Sequence, residues 1–389
     1  MKAIVTGIKS YIRFLYQEDS SSASHNFDAF APLQTQEQVL QASRFNGNTG
    51  NYFIGEGAVE AIGREKAHFV DFGQLHWKTK QQEYLNHINN HYDCFVFVTA
   101  NLLRSDYAAS AEAELLSRIN IPIVVLGIGC QRITDIENGA LSTTQAFIEA
   151  LKQKEHHIFT RGHATADYLL SQGLRNVWPT GCPSLFFRPK NVLSAIEKLK
   201  HVDWKSPLQM SFSGYLGTDI SSIRDIKLFQ NRKQNSSYVL QDEQLFYNFK
   251  FDAKQSDIVY DDTTGILSRC SFQESQQIAD IKMRIFFNTH QWRALMSSND
   301  AAFGKRFHGV VSGLQAGTPG LMIAVDDRMR EMLNQFSLPY IDIKEWDSSD
   351  DKHHIISKTI KSYNFDAFSE KYQIAEESFR TRLKSIGLG

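Results

Sequence analysis

Two unbroken apolar runs constrain this chain more than anything else in it: CFVFVTA at 94–100 and IPIVVLGIG at 121–129. A run without polar alternation suits a strand buried on both faces, as in a parallel sheet covered by helices. Between them, 107–118 carries a helical period. Strand, helix and strand in succession make a parallel crossover unit, and the pattern recurs. Further strands are predicted at 68–72, 156–160 and 176–180, with helices at 52–63, 79–89, 141–152 and 164–172. A first strand is read at 38–44, and the Ser-rich stretch 18–36 reads as a loop. Right-handed crossovers place the strand ends near 127–131 and 161–163 along one edge, where open α/β sheets bind ligands.

A composition change at Arg188-Pro189-Lys190 suggests a boundary. The alternation then resumes, with strands at 208–213, 237–240, 257–260, 301–305, 321–325 and 340–343. Helices are predicted at 220–229, 243–249, 273–286 and 328–336. A final helical segment at 354–386 is broken near Phe365. With 389 residues the chain is too long for one ordinary core. The expectation is two α/β domains, 1–188 and 189–389, alike in architecture but without a sequence repeat.

Lys and Arg number 42 against 43 Asp and Glu, which argues against a general nucleic-acid binder and makes any basic site local. Cys94, Cys130, Cys182 and Cys270 are scattered and form no Cys-x-x-Cys pair, so neither a zinc site nor a disulfide framework is indicated. No required metal or cofactor is expected. Residues 1–17 show no signal-peptide pattern, and no stretch approaches the ~20 apolar residues that span a bilayer. The expected location is cytoplasmic, peripheral at the membrane if the substrate is lipid-linked.

Three stretches carry chemistry. In GKRFHGVVSGLQAGTPG at 304–320, a helix opens just after Arg306, so a cation, the imidazole of His308 and free backbone N–H groups meet at one point. That combination suits an anion such as phosphate. Gly309 lets backbone or ligand approach, and Gly317-Thr318-Pro319 stops the helix. The second stretch is the Gly/Asn turn at 47–51, which contains Asn48 and Asn51 and can bring bare backbone to a ligand. The third is Phe159-Thr160-Arg161, followed by Thr180-Gly181-Cys182-Pro183.

Together these stretches resemble the polysaccharide pyruvyl transferases. Arg306-Phe307-His308-Gly309 with Gly317-Thr318-Pro319 is similar to that family's Arg-x-His-Gly and Gly-x-Pro block. The turn at 47–51 resembles its Gly-Asn-x-Gly-Asp turn, with Asn51 where Asp is common. Thr180-Gly181-Cys182-Pro183 resembles its Gly-Asp-Pro piece, with Cys182 in place of Asp. The likeness runs over roughly 45–345. It implies two Rossmann-like domains facing across a cleft, a glycosyltransferase-B-like arrangement, with the final helix crossing back to the first domain. It implies an enzyme of exopolysaccharide synthesis that moves pyruvate from phosphoenolpyruvate (PEP), as co-substrate, to a sugar as a cyclic ketal.

PEP carries a carboxylate and a phosphate close together, and the arginine fork suits both. Arg161 and Arg306 are the candidate donor-binding residues, with Gly309 and Gly317. His308 is the candidate acid/base, since an imidazole titrates near ~6.5, with Arg306 stabilising developing charge. On the acceptor side the cleft-lining candidates are Asn48, Asn51, Gly127, Gln131, His163, His290, Trp292 and Asp326. Trp292, in a loop with His290, reads as a sugar-stacking ring or, as is commoner for tryptophan, a core residue; His163 reads equally as an exposed helix-start residue, and Asp326 as a helix cap. The acceptor is a sugar or oligosaccharide, free, lipid-linked or polymeric. Two other readings stay open: a nucleotide-sugar-dependent glycosyltransferase of the same architecture, and a non-catalytic sugar-binding protein.

Overall fold

A computed structural model describes residues 1–8, 48–70, 81–139, 141, 144–215, 225, 232–242, 249–252, 257–260 and 281–389. The strand at 38–44 and the loop at 18–36 lie outside these residues. So do the helix at 220–229, apart from Asp225, and 243–248 of the next helix.

The first sheet has six strands: β1 (Ala3–Gly7), β2 (Ala67–Phe69), β3 (Cys94–Val98), β4 (Ile123–Ile128), β5 (His156–Thr160) and β6 (Val177–Pro179). They pair in the order β2-β1-β3-β4-β5-β6, every pair parallel. All residues of β3 and β4 are buried, as their sequences demand. Helices Tyr52–Ile62, Gln81–His91, Ser110–Ser117, Gln145–Lys152 and His163–Ser171 make the crossovers.

The second sheet has eight strands: β7 (Met210–Ser213), β8 (Ser237–Leu240), β9 (Phe249–Asp252), β10 (Asp257–Tyr260), β11 (Lys282–Ile285), β12 (Ala301–Gly304), β13 (Gly320–Ala324) and β14 (Tyr340–Asp342). Their order is β14-β13-β12-β7-β8-β11-β10-β9. Strands β7, β8 and β11–β14 are parallel to one another, whereas β10 runs antiparallel to both β9 and β11. The parallel part is therefore a doubly wound sheet whose order reverses between β7 and β12, the place where such sheets open a crevice.

Three expectations change. The first sheet contains a strand at Ala3–Gly7 paired with β2 and β3, where the sequence reading saw only scattered apolar residues beside Lys2. Lys282–Ile285, expected as the end of a helix at 273–286, is a strand, because Met283 and Ile285 alternate inward while Lys282 is exposed. Phe249, expected to end a helix, begins β9.

The final segment is two helices, Lys352–Ser362 and Phe365–Ser385, separated at Tyr363-Asn364, where the Asn364 side chain caps the second by accepting from the Ala367 N–H. Phe368, Tyr372, Phe379 and Leu383 form its buried stripe. Phe379 meets Phe159 edge-on at 5.6 Å and stacks on Phe186 at 4.8 Å, and the Tyr372 hydroxyl donates to the Leu185 carbonyl. One apolar cluster accordingly includes Phe53, Leu126 and Phe159 of the first half together with Val310, Leu314 and Phe379 of the second. Burying a side chain of this size contributes about 1.5–3 kcal/mol.

A buried ion pair joins the same surfaces. Arg293 forks onto Glu56, Nη1 to Oε2 at 2.6 Å and Nη2 to Oε1 at 2.8 Å. Glu331, on helix Asp327–Phe336, caps the start of helix His163–Ser171 by accepting from the Thr165 N–H at 2.9 Å. A Cβ at Gly162 would overlap its side chain.

Candidate functional site

The carboxyl ends of both sheets surround a cavity of about 1180 Å³. Asn101 follows β3, Gln131 follows β4 and Arg161 follows β5. Tyr215 follows β7, Gln241 and Asp242 follow β8, Arg306 and His308 follow β12, and Asp326 and Arg328 follow β13. The topology thus delivers chain-distant polar residues to one place.

Arg161 extends the β5 ladder, its N–H donating to the Ile128 carbonyl at 2.9 Å. The side chain passes Gly129, where a Cβ would stand 3.0 Å from its Cδ. Nη1 donates to Asn101 Oδ1 at 2.9 Å. Among the described residues Nε and Nη2 have no acceptor, although the residue is 3% exposed. Each unmet buried donor costs about 1–3 kcal/mol, and more for a charged group. Burial, chiefly, and the charge of Arg328 push the guanidinium below its ordinary value. An arginine does not give up its proton at such a site, so the group stays a buried cation.

Arg328 stands nearby. It donates from Nη2 to Asp326 Oδ2 at 3.0 Å and reaches Gln131 Oε1 at 3.4 Å, while its buried Nε has no partner.

His308 is the second residue of helix Phe307–Ala316, which no side chain caps and which Gly317 closes at φ 81°. Its first-turn N–H groups therefore present an open positive end to the cavity. The neighbouring helix, Asp327–Phe336, is closed at the same end, because Asp326 Oδ1 accepts from the Met329 N–H at 2.8 Å. The His308 ring is almost fully buried, with Nε2 3.6 Å from Cys182 Sγ. Burial first, then Arg161 and Arg328, hold the imidazole well below its usual range. At neutral pH it is uncharged.

Arg306 lines the cavity in a different state. Nε donates to the Gly214 carbonyl at 2.7 Å, the fork engages both carboxylate oxygens of Asp242, and the guanidinium lies 4.1 Å from the centre of the Tyr215 ring. Each of its three nitrogens thus donates within its own half. Lys305, facing the other way, pairs with Asp225 at 2.9 Å.

The Gly/Asn turn reaches the second half directly. Thr49 N–H donates to the Gln241 carbonyl at 2.9 Å, and a Cβ at Gly50 would overlap Gln241 Oε1 and stand 3.0 Å from the His308 Cβ. Asn48 and Asn51 line the cavity beside it.

The structure brings together Arg161, Arg306, His308, Asn48, Asn51, Gln131 and Asp326 from the sequence candidates, and leaves the others outside. Trp292 is a core residue, 1% exposed, stacked on Phe286 and edge-on to Phe53, so it has no face for a sugar. His290 belongs to the first turn of helix Thr289–Ser297 rather than a loop, and is exposed. His163 likewise opens a helix and points to solvent. Gly127 packs against the Thr99 carbonyl and Pro183, and Gly309 against Ser213, so both serve backbone packing. Gly317 lies at the far end of its helix, where its carbonyl accepts from Lys198 Nζ. Arg328, Asn101, Gln241, Asp242 and Tyr215 are among the lining residues that sequence reasoning missed. Arg328 carried a legible signal, a cation just past a buried strand in Val325-Asp326-Asp327-Arg328.

Among the described residues, no group of three or more His, Cys, Asp or Glu could hold a metal ion, and no helix is long and apolar enough to cross a membrane. Cys94, Cys130 and Cys182 are buried free thiols; Cys270 lies outside the described residues.

The family model for polysaccharide pyruvyl transferase matches residues 48–327. No curated protein sequence matches the chain. Among solved structures, the glycosyltransferase SnogD from Streptomyces nogalater aligns over 99% of each chain at 12% identity and a TM-score of 0.37. An aspartate transcarbamoylase from Trypanosoma cruzi aligns over 96% of this chain and 82% of its own at 9% identity and a TM-score of 0.21. At those scores neither likeness bears on what the cavity does.

Proposed function

The chain belongs to the polysaccharide pyruvyl transferase family, and from that premise we propose that it transfers pyruvate from PEP to a sugar, forming a cyclic ketal and releasing phosphate. The observation that carries this reading is Arg161, a buried guanidinium with two donors unmet, facing an uncapped helix end beside a second arginine and a neutral imidazole. PEP supplies what that corner lacks: a planar carboxylate and a phosphate on adjacent atoms. Arg161 and Arg328 hold the donor, and the first turn of helix Phe307–Ala316 receives phosphate oxygens. Arg306 shapes the wall through Asp242 and Tyr215.

His308 moves the protons. In the empty cavity it is uncharged, and the arriving anion raises its affinity for a proton. The imidazolium gives that proton to the PEP methylene carbon, which becomes a methyl group. A sugar hydroxyl attacks the adjacent carbon and returns its proton to His308. The carbon–oxygen bond to phosphate breaks, with the departing charge met by Arg161, Arg328 and the helix end. The second hydroxyl closes the ring, and its proton leaves with phosphate. PEP and two hydroxyls thus become ketal and phosphate with no redox change. The amides of Asn48, Asn51 and Gln131 suit hydroxyl recognition on the acceptor.

The test is phosphate release from PEP against a panel of galactosides, glucosides and N-acetylhexosamines, with mass spectrometry of the sugars. Release together with one added pyruvyl ketal is expected. No release and no thermal stabilisation by PEP, with turnover of a nucleotide sugar instead, overturns the reading.

A further inference from the structure

Cys182 sits behind His308, away from the cavity. It is fully buried and does not line the space, yet its Sγ is 3.6 Å from His308 Nε2 and 3.0 Å from Ser184 Oγ. Its backbone is fixed from both halves of the molecule. Gly181 N–H donates to the Thr160 carbonyl at 2.9 Å, Leu185 N–H donates to the Cys182 carbonyl at 3.1 Å, and Gln315 Nε2 donates to the Ser184 carbonyl at 2.6 Å. The thiol is thus placed against one ring nitrogen with little freedom to move. Around the ring stand Arg161 from the end of β5, Arg328 from helix Asp327–Phe336, the Phe307 ring at 5.2 Å and the Gly50 backbone. Among the described residues, no carboxylate touches it. Asp326 is occupied with its helix and Arg328, and Glu331 with Thr165.

We propose that Cys182 is a positioning residue for His308: its Sγ contact at Nε2, where a carboxylate would hold an imidazolium, fixes the ring in one orientation for the proton transfer that follows the arrival of an anionic donor. A carboxylate in the same place would hold an imidazolium in the empty cavity and give Arg161 an internal partner. The donor would then have to displace an ion pair the fold already contained. With no carboxylate at that position, burial and the two arginines hold the imidazole's proton affinity down, and among the described residues both arginines keep unmet donors for the ligand. Proton uptake and donor binding become one event.

The inference rests on His308 being the proton-transferring group, and its test separates the two claims. Ring NMR of His308 in the free full-length protein, titrated with and without inorganic phosphate, reads the contact without any turnover. In the native protein the ring titrates below 6.5, and phosphate moves the titration upward. Cys182→Asp should raise the free-protein titration by about one pH unit or more, move the alkaline limb of kcat the same way, and weaken PEP binding roughly tenfold, the change that one unit represents. Cys182→Ser should keep the limb in place. Cys182→Ala should change the ratio of ring tautomers and lower kcat more than it raises KM. If Cys182→Asp does not fold, the Ser and Ala variants carry the test by the same two readings. Native-like titration in Cys182→Asp, or an unchanged tautomer ratio in Cys182→Ala, overturns the proposal. Failure of the native protein to bind PEP, with the His308 titration behaving as stated, removes the functional reading and leaves the contact standing.

Discussion

Arg161 and Arg306 follow the carboxyl ends of β5 and β12, one strand in each sheet, and both are almost fully buried. By residue type and burial they are twins. Their hydrogen bonds separate them. Arg306 meets a carboxylate, a carbonyl and an aromatic face, whereas Arg161 meets one amide oxygen. Buried polar groups in folded proteins are almost always satisfied. An arginine engaged at all three nitrogens belongs to the wall, and one left short of acceptors among the described residues is the better candidate for meeting a ligand.

The comparison breaks most sharply at Arg161 itself. Arg161→Met should lower PEP-dependent phosphate release by at least about a hundredfold, the scale of losing a donor aimed at developing charge. Its melting temperature should hold or rise, because a buried cation without an acceptor is removed. A fall of several degrees with activity retained would exchange the roles of the two arginines.

On the other side, Asp242→Ala should cost about 1–3 kcal/mol in urea unfolding, a range reduced for the partial exposure of Asp242, because Arg306 is left without its carboxylate. The double variant Asp242→Ala/Arg306→Met should recover part of that loss. A single variant as stable as the native chain would show that Arg306 is no more committed than Arg161.

The smallest effect is in pH. His308 binds its proton less well folded than unfolded, so the unfolded chain takes up the proton first as pH falls. Stability is then full above the ordinary value near 6.5 and declines below it, toward the lowered folded value. Denaturation followed between pH 7 and 5 should show a shallower decline in His308→Gln than in the native chain. Saturating PEP should flatten the native profile too, since an anion restores the imidazole's affinity for protons. Equal slopes in variant and native protein would mean that the ring titrates alike in the folded and unfolded chain, against the lowered value.

Much of this could be read from the chain. Continuous apolar runs identify β3 and β4, and a helix beginning after Arg306 with Gly317 at its end is legible from sequence alone. The family resemblance rested on residues that do meet: Asn48, Arg161 and His308. What could not be read depends on partners distant in the chain. Nothing local to Arg306 announces Asp242, and nothing near Trp292 announces Phe53. A tryptophan beside a polar run reads either as a binding ring or, more commonly, as core, and only its neighbours decide for core at Trp292. Ala3–Gly7 is short and starts beside a lysine, so its strand character comes from pairing with β2 and β3 rather than from its own pattern. Lys282–Ile285 was lost inside a longer helical period, because a period of two is hard to see over four residues.

The helix Phe365–Ser385 has a consequence for synthesis. Tyr372 bonds to Leu185 across 187 residues of chain, and Phe379 covers Phe159 and Phe186. At the usual ribosomal pace of about 5–20 residues per second, that separation corresponds to roughly 10–40 s. Throughout that interval the emerging first half holds Phe159 and Phe186 without their cover. The nascent chain thus presents two aromatic faces whose cover is made last, and a pause in translation between the two segments would lengthen that exposure.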